Sequence, residues 1–345
     1  MIWAMRLLVL GGTAFLGRAV ARQARDAGHD VTCAARGESG QPPADVTFVR
    51  VDRDVDGGLA PLAGQTFDAV VDVSSRPSQV RRAIAELGGR AGHWSYVSTG
   101  SVYADDSTPH QRAGASPVVA AAPPEVDDPR EDNFAAYGPC KVACEEAVLG
   151  AAPDAFICRA GLIVGPEDDS GRFTYWVTRL ARGGEVLAPG APAESVQWVD
   201  VRDLADWLVM AGETGLAAVL DGIGAPTSRV DFLTGIARGL GVPAELTWVD
   251  QEFLTAHEVR PWAGPRSLPL WLPVPEYGGF LTRDVSASLA AGLRTRDVAE
   301  TARDTLAWVR DAQPDSTDWP GLTPDDEAEL LAAWHEQSSA KSPRR

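Results

Sequence analysis

Tyr137 and Lys141 stand four residues apart in the run Tyr137-Gly138-Pro139-Cys140-Lys141. On a helix that spacing brings a phenol and an ammonium to one face. Pro139 fits within the first helical turn, where a missing N–H is tolerated. An ammonium held beside a phenol lowers its pKa from about 10 toward neutrality, which makes the phenol a usable acid and base. YxxxK alone is common by chance and becomes specific only in company. Upstream, the run Tyr96-Val97-Ser98-Thr99-Gly100-Ser101-Val102-Tyr103 carries the hydroxyls that such proton transfer needs as partners.

A second constellation lies near the N-terminus, where Leu8-Val9-Leu10 runs into Gly11-Gly12-Thr13-Ala14-Phe15-Leu16-Gly17. Gly11 permits a sharp strand-to-helix turn, the small residues Thr13 and Ala14 let the backbone approach a pyrophosphate, and Gly17 permits close helix–sheet packing. The helix beginning at Phe15 and Leu16 would offer free N–H groups and a positive dipole end to phosphate. NAD sites place an Asp or Glu about 20 residues on, against the ribose 2′-hydroxyl. That stretch, Val31 to Arg36, has no acid, and Arg36 stands where a cation meets a 2′-phosphate, with Arg18 as a second candidate. The expected cofactor is therefore NADP, with NAD the alternative. Asp52 and Arg53, closing the third expected strand, are placed to bracket the adenine.

Taken together, GGTxFLG, the Tyr96–Tyr103 string and YxxxK resemble the extended short-chain dehydrogenase/reductases, the NAD(P)-dependent epimerase/dehydratase family. The resemblance runs in order over about residues 5–210. It implies that Thr99, four residues before Tyr103, hydrogen-bonds the reacting oxygen, with Ser98 the substitute if the register slips by one. It also implies that Tyr137 is the acid/base and that Lys141 orients the nicotinamide ribose. The implied protein is an enzyme, moving hydride at a carbinol or carbonyl carbon of a sugar- or nucleoside-like substrate; reduction and epimerisation are not separated. Arg159–Pro166 resembles the family's RPxxxxGP exit segment, with Ala160 in place of its Pro, and Gln197–Ala205 resembles a later strand and helix. Ala14 replaces the usual middle glycine, and the fourth strand lacks the usual His-Ala. Gly100 and Ser101 replace the Asp-Glu pair of the 4,6-dehydratases, which argues against water elimination.

The run Val51–Asp54 and the Tyr137–Glu145 segment also resemble an atypical branch that includes chloroplast stem-loop RNA-binding proteins. This keeps a non-catalytic dinucleotide-binding regulatory or RNA-binding protein as the alternative. The chain's net charge of −17 opposes it, because nucleic acid and anionic lipid both call for a cationic surface. Small-molecule partners are expected, without nucleic acid or membrane, and the resemblance implies a possible homodimer.

On the substrate side, Arg172 offers a fixed cation, with Tyr175 and Trp198 as aromatic platforms. Phe173, Trp176, Val177 and Leu180 nevertheless form an i, i+3, i+4, i+7 stripe of the kind that fills a core. Arg260, Trp262, Arg266 and Trp271 lie in a Pro-rich region that could line the same cleft. Four cysteines without CxxC spacing and five scattered histidines give no metal or disulfide framework.

These groups need a scaffold. Short β runs at Arg6–Leu10, Asp30–Ala34, Val46–Val51, Ala69–Val73, Trp94–Ser98 and Ala155–Arg159 alternate with helical stretches such as Phe15–Asp26 and Ser78–Leu87. Such alternation predicts an α/β Rossmann-type doubly wound parallel sheet. Residues 1–165 form this domain, with 196–220 rejoining it through a strand at Val196–Val199 and a helix at Asp200–Ala211. Residues 166–195 and 221–336 form a smaller irregular C-terminal substrate lobe, which holds most of the eleven tryptophans, and 337–345 a disordered tail. The segment from Ala104 to about Asn133 reads equally as a lid or as disorder. The run Leu7–Leu10 is too short for a signal peptide or membrane helix, so a cytoplasmic location is expected.

Overall fold

The computed structural model describes residues 4–132 and 134–341. β1 (Arg6–Leu10) is buried from Leu7 to Leu10, and its side chains part by parity. Leu7 and Val9 enter one core and Leu8 and Leu10 another, the two-residue period of a strand covered on both faces. β2 (Asp30–Ala35), β3 (Thr47–Arg50), β4 (Phe67–Asp72), β5 (Ala91–Thr99), β6 (Phe156–Ala160) and β7 (Ala218–Gly222) complete a seven-stranded parallel sheet in the order β7-β6-β5-β4-β1-β2-β3. This is the Rossmann-type doubly wound arrangement expected from the alternation. The order reverses between β1 and β4, and ligands of such sheets bind outside the strands' carboxyl ends at that switch.

α1 (Phe15–Asp26) and α5 (Val201–Thr214) cover one face, and α2 (Pro77–Leu87) and α3 (Tyr137–Ala151) the other. α1 ends at Gly28, whose φ of 89° suits glycine after a helix. α4 (Arg172–Ala181) and α6 (Arg229–Leu240) belong to a separate core built on Phe173, Trp176, Val177, Leu180, Phe232 and Trp271. The aromatic stripe of α4 is thus packing. The helix Pro324–Lys341 lies on this second core through Leu330 and Leu331. It also delivers the buried Glu327, which pairs with Arg179 of α4 and accepts from the Leu187 N–H at 3.1 Å.

Two expectations are corrected. The strand expected at Val196–Val199 is instead two two-residue bridges, Ser195–Val196 and Val199–Asp200, outside the main sheet. Between them the Gln197 amide donates to the Gly224 and Arg283 carbonyls and accepts from the Arg283 N–H, which turns the run into a connector. The main sheet instead takes Ala218–Gly222. The tail expected to be disordered from Gln337 continues as helix to Lys341; its last residues, 342–345, lie outside the described residues.

The 104–132 segment is irregular yet fastened at both ends; Asn133 lies outside the described residues. Val119 N–H donates to the Val102 carbonyl at 2.8 Å, and Gly279 N–H to the Asp106 carbonyl at 2.7 Å. Asp127 accepts from the Ser78 N–H at 2.7 Å, at the start of α2, and Asp128 pairs with Arg76 at 3.0 Å.

Glycines separate packing from tolerance. A Cβ on Gly17 would lie 2.2 Å from the Gly11 carbonyl oxygen, whereas one on Gly150, in α3, meets nothing within 4 Å. Gly17→Ala should lower the unfolding free energy by about 1–3 kcal/mol, while Gly150→Ala should raise it by up to about 1 kcal/mol. Urea titrations of both variants check this, and equal effects would contradict the proposed contact.

Candidate active site

The glycine turn opens onto a cleft of about 220 Å³ lined by Gly11, Thr13, Ala14, Arg36, Glu38, Arg53, Ser74 and Gln79, among others. Gly11 has φ 96°, a left-handed conformation that costs glycine little. Ala14 is the N-cap of α1, and no side chain caps that end. Its first N–H groups are thus left for a phosphate, as a dinucleotide cradle requires. The residues present fit such a cofactor.

Arg36 lines this cleft with its side chain half-exposed, 3.3 Å from Glu38 and 3.2 Å from Asp54. Exposed pairs of this kind are weak and exchangeable. Arg53 also lines it, but its guanidinium is buried against Asp72 at 3.0 Å. Two expectations fail here. Asp52 does not line the cleft, because its carboxylate folds into its own turn to accept from the Asp54 N–H at 3.0 Å. Arg18 is drawn away to Glu167 at 2.5 Å, which Arg22 also meets at 2.9 Å. Leu16 and Gly17 pack behind the turn and do not line the cleft. Ser74, Gln79 and Glu38 are additions that no periodicity or motif announced.

A second cavity, of about 300 Å³, lies on the other side of the turn. Phe15, the neighbour of Ala14, lines it together with Thr99, Ser101 and Tyr137. Tyr137 is the first residue of α3, and Pro139 falls in its first turn. Lys141, one turn on, is buried, and its Nζ donates to the Ser74 carbonyl at 2.9 Å and the Val97 carbonyl at 2.7 Å. An ammonium has three donors, so one is left. The cation also stands 5.0 Å from the centroid of the Tyr96 ring, a favourable placement. Because Ser74 lines the cleft at the glycine turn, Lys141 ties α3 to a wall of that cleft.

The neighbouring hydroxyls differ sharply. Ser98 is buried and donates to Glu145 at 2.5 Å, whereas Thr99 lines the cavity and accepts from the Ser101 N–H at 3.2 Å. Glu145 also receives both arms of Arg159, at 3.0 and 2.8 Å, and both residues are buried. The Arg159 guanidinium lies 5.1 Å from the Tyr103 ring centroid and that of Arg283 3.3 Å from it. The Tyr103 hydroxyl donates to Asp221 at 2.6 Å, and Arg283 pairs with the same carboxylate at 3.1 Å. Burial is the largest influence on the Tyr103 phenol and raises its pKa.

The remaining walls come from the exit segment and the Pro-rich region: Asp168, Asp169, Ser170, Arg172, Trp262 and Phe280. The Arg172 guanidinium lies 5.1 Å from the Trp262 ring centroid, and Trp262 meets Phe280 edge-on at 5.6 Å. Burial lowers the Arg172 pKa. Trp262 has φ 69°, an uncommon conformation for a bulky residue and one that clusters at functional sites.

Two candidate platforms are corrected. Tyr175 is buried with its ring against Gly321 and Trp176, on the inner side of α4. Trp198 stacks on Phe173 at 6.4 Å and faces a different cavity. Both serve the second core. Arg260, Arg266 and Trp271 likewise line another pocket. Asp168 and Phe280 were missed because neither carries a motif; Asp168, four residues before Arg172, was the only signal on offer.

Fold and site define a doubly wound α/β protein with a glycine turn after its first strand, a YxxxK helix and a second, separate core. The sequence matches the NAD dependent epimerase/dehydratase family over residues 7–219, and the chain belongs to that family. It is 26% identical over 261 residues to the epimerase family protein SDR39U1 of Mus musculus, covering 70% of this chain and 82% of that protein. A crystal structure described as an epimerase from Burkholderia cenocepacia superposes with a TM-score of 0.65 at 21% identity, over 89% of this chain and 99% of that one. UDP-glucuronic acid 4-epimerase from Bacillus cereus, in complex with NAD, gives 0.59 at 14% identity, over 89% and 97%. No helix among the described residues is long and apolar enough to cross a membrane.

Glu145→Ala would leave Arg159 buried without its partner. Loss of one member of such a pair costs about 3–5 kcal/mol, which chemical denaturation should read directly. A change under about 1 kcal/mol would mean that water or another acid replaces the carboxylate.

Proposed function

We propose that this chain is a nicotinamide dinucleotide-dependent oxidoreductase of the epimerase type, acting at a carbinol or carbonyl carbon of a sugar-like substrate with Tyr137 as acid/base. One placement supports this above all: Tyr137, Thr99 and Ser101 share a cavity that Phe15 joins to the glycine turn. The bound nicotinamide would accept or return a hydride. The protein's part is to hold the substrate oxygen and handle its proton. Thr99 Oγ1 donates to that oxygen, and Tyr137 Oη takes the proton on oxidation and returns it on reduction. Lys141, fixed by two carbonyls, holds its ammonium one turn from Tyr137 with one donor left for the cofactor or substrate. Reduction, oxidation and epimerisation share this step.

NADP is the cofactor this reading favours, because Arg36 lines the cleft where its half-exposed side chain can exchange Glu38 and Asp54 for a 2′-phosphate. The glycine turn and uncapped α1 supply the pyrophosphate contacts through backbone N–H groups.

Tyr137→Phe should reduce NADPH consumption with a pool of ketones and sugar nucleotides by about 10²–10⁴-fold while leaving cofactor binding intact. Undiminished turnover would refute the acid/base role. Arg36→Ala should weaken NADPH roughly tenfold or more, as expected for a charged hydrogen bond, and NADH far less. Equal losses in a fluorescence titration would exclude a 2′-phosphate contact.

A further inference from the structure

Arg172 lines the cavity that it shares with Thr99 and Tyr137, and the residue is half-buried there. Its Nε donates to Ser170 Oγ at 3.3 Å, and Trp262 covers one face of the guanidinium. Among the described residues neither of its terminal nitrogens has a hydrogen-bond partner, and no carboxylate lies within ion-pair distance. The buried arginines of this chain are different: Arg53, Arg159, Arg179, Arg229 and Arg283 each meet a carboxylate. Burial is the largest influence on the Arg172 guanidinium and lowers its pKa, against the opposing pull of Asp168, Tyr137 and Asp169. A cation withdrawn from water calls for a counter-charge, and the cavity is the side from which one can reach it.

The surroundings select that counter-charge. α4 starts at Arg172 and no side chain caps it, so the positive end of the helix dipole lies on the same wall. Gly171, at φ 67°, brings this end of the helix against the Trp319 ring, so the arginine emerges from a fixed backbone. Neither nearby carboxyl neutralises it. Asp168 turns Oδ1 to the Ser170 N–H at 2.9 Å, and burial raises its pKa. Asp169 is exposed, where water and salt screen its charge. Two coplanar N–H groups with one positive charge match a single carboxylate in geometry and in charge. The cavity, about 300 Å³, also holds the Thr99 and Tyr137 hydroxyls, which places such a carboxylate within a sugar ring's width of the oxygen that exchanges its proton.

We propose that Arg172 is a specificity-determining residue: its two free nitrogens hold a carboxylate on or beside the sugar ring that reacts at Tyr137, so the chain prefers an acidic sugar to its neutral counterpart. This rests on the oxidoreductase reading and narrows its substrate to sugars of the uronic acid kind. Trp262 supports the guanidinium from one face, and Phe280, edge-on to Trp262, walls the same cavity. Arg172 reads the ring end of the substrate, and a nucleotide on the same molecule would extend away from it.

Isothermal titration calorimetry on the full chain tests this with two matched pairs of probes, glucuronate against glucose and UDP-glucuronate against UDP-glucose. NAD+ and NADP+ are both present at saturation, so the cofactor preference does not enter. Binding is read without turnover, so the result stands apart from the Tyr137→Phe assay. In at least one pair the acid should bind about tenfold more tightly, as for a charged hydrogen bond. Arg172→Gln should abolish that preference and leave the neutral sugar's affinity unchanged. Arg172→Lys, which keeps the charge without the two-point edge, should keep part of it, and it carries the comparison if the Gln variant does not fold. Equal binding within both pairs, an acid preference that survives Arg172→Gln, or failure of both acids to bind would each overturn the proposal. So would equal weakening of UDP-glucose and UDP-glucuronate by Arg172→Gln, which would put Arg172 on the phosphates instead.

Discussion

Glu145 carries a negative charge into the interior one turn beyond Lys141, and it is tolerable there because Arg159 meets both of its oxygens. Desolvating two ions is expensive, and a well-packed apolar pair is often no less stable. What the pair adds is direction. It joins α3 to β6 and, through Ser98, to the end of β5. Those are the elements that carry Tyr137, Lys141 and Thr99. The same Arg159 covers one side of Tyr103, whose hydroxyl reaches Asp221 at the end of β7, and Arg283 of the second lobe closes the chain. Acids and bases alternate along this line, so no single charge is left uncompensated.

Much of this was legible in the sequence. β1 and α1 have the bounds that apolar runs and the glycine turn imply, because Leu7–Leu10 can only be a strand buried on both faces and Gly28 can only end a helix cheaply. The choice between Ser98 and Thr99 was not settled by residue type, since both are small hydroxyl residues at the end of one strand. Which of the two lines the cavity follows from Glu145, which takes Ser98 inward, and strand parity then turns Thr99 to the other side.

The second lobe resisted reading for a physical reason. Its aromatic residues carry the same chemistry whether they stack on a ligand or on each other, and Tyr175 and Trp198 do the latter. Trp262, by contrast, is held by its backbone N–H against the Leu268 and Trp271 carbonyls in a left-handed turn, a property of the folded loop that no local pattern encodes. The expected strand at Val196–Val199 misled similarly: the run is apolar enough for a sheet, but Gln197 spends its amide on a lobe junction far along the chain.

The segment between Thr99 and Tyr137 has a further consequence. Its two ends are the two groups proposed to share the substrate oxygen, so their separation is set by the closure of a loop. Closing a free chain of that length costs about 3 kcal/mol of entropy, which must be offset before the groups can face each other. The offsets lie at Asp127 and Asp128, which hold Ser78 and Arg76 at the start of α2, and at Asp106 and Gln111, whose carbonyls accept from the Gly279 and Asp284 N–H groups. The spacing of the active groups can thus be adjusted at these anchors, and sequence drift there offers evolution a way to retune the site while Thr99 and Tyr137 stay the same.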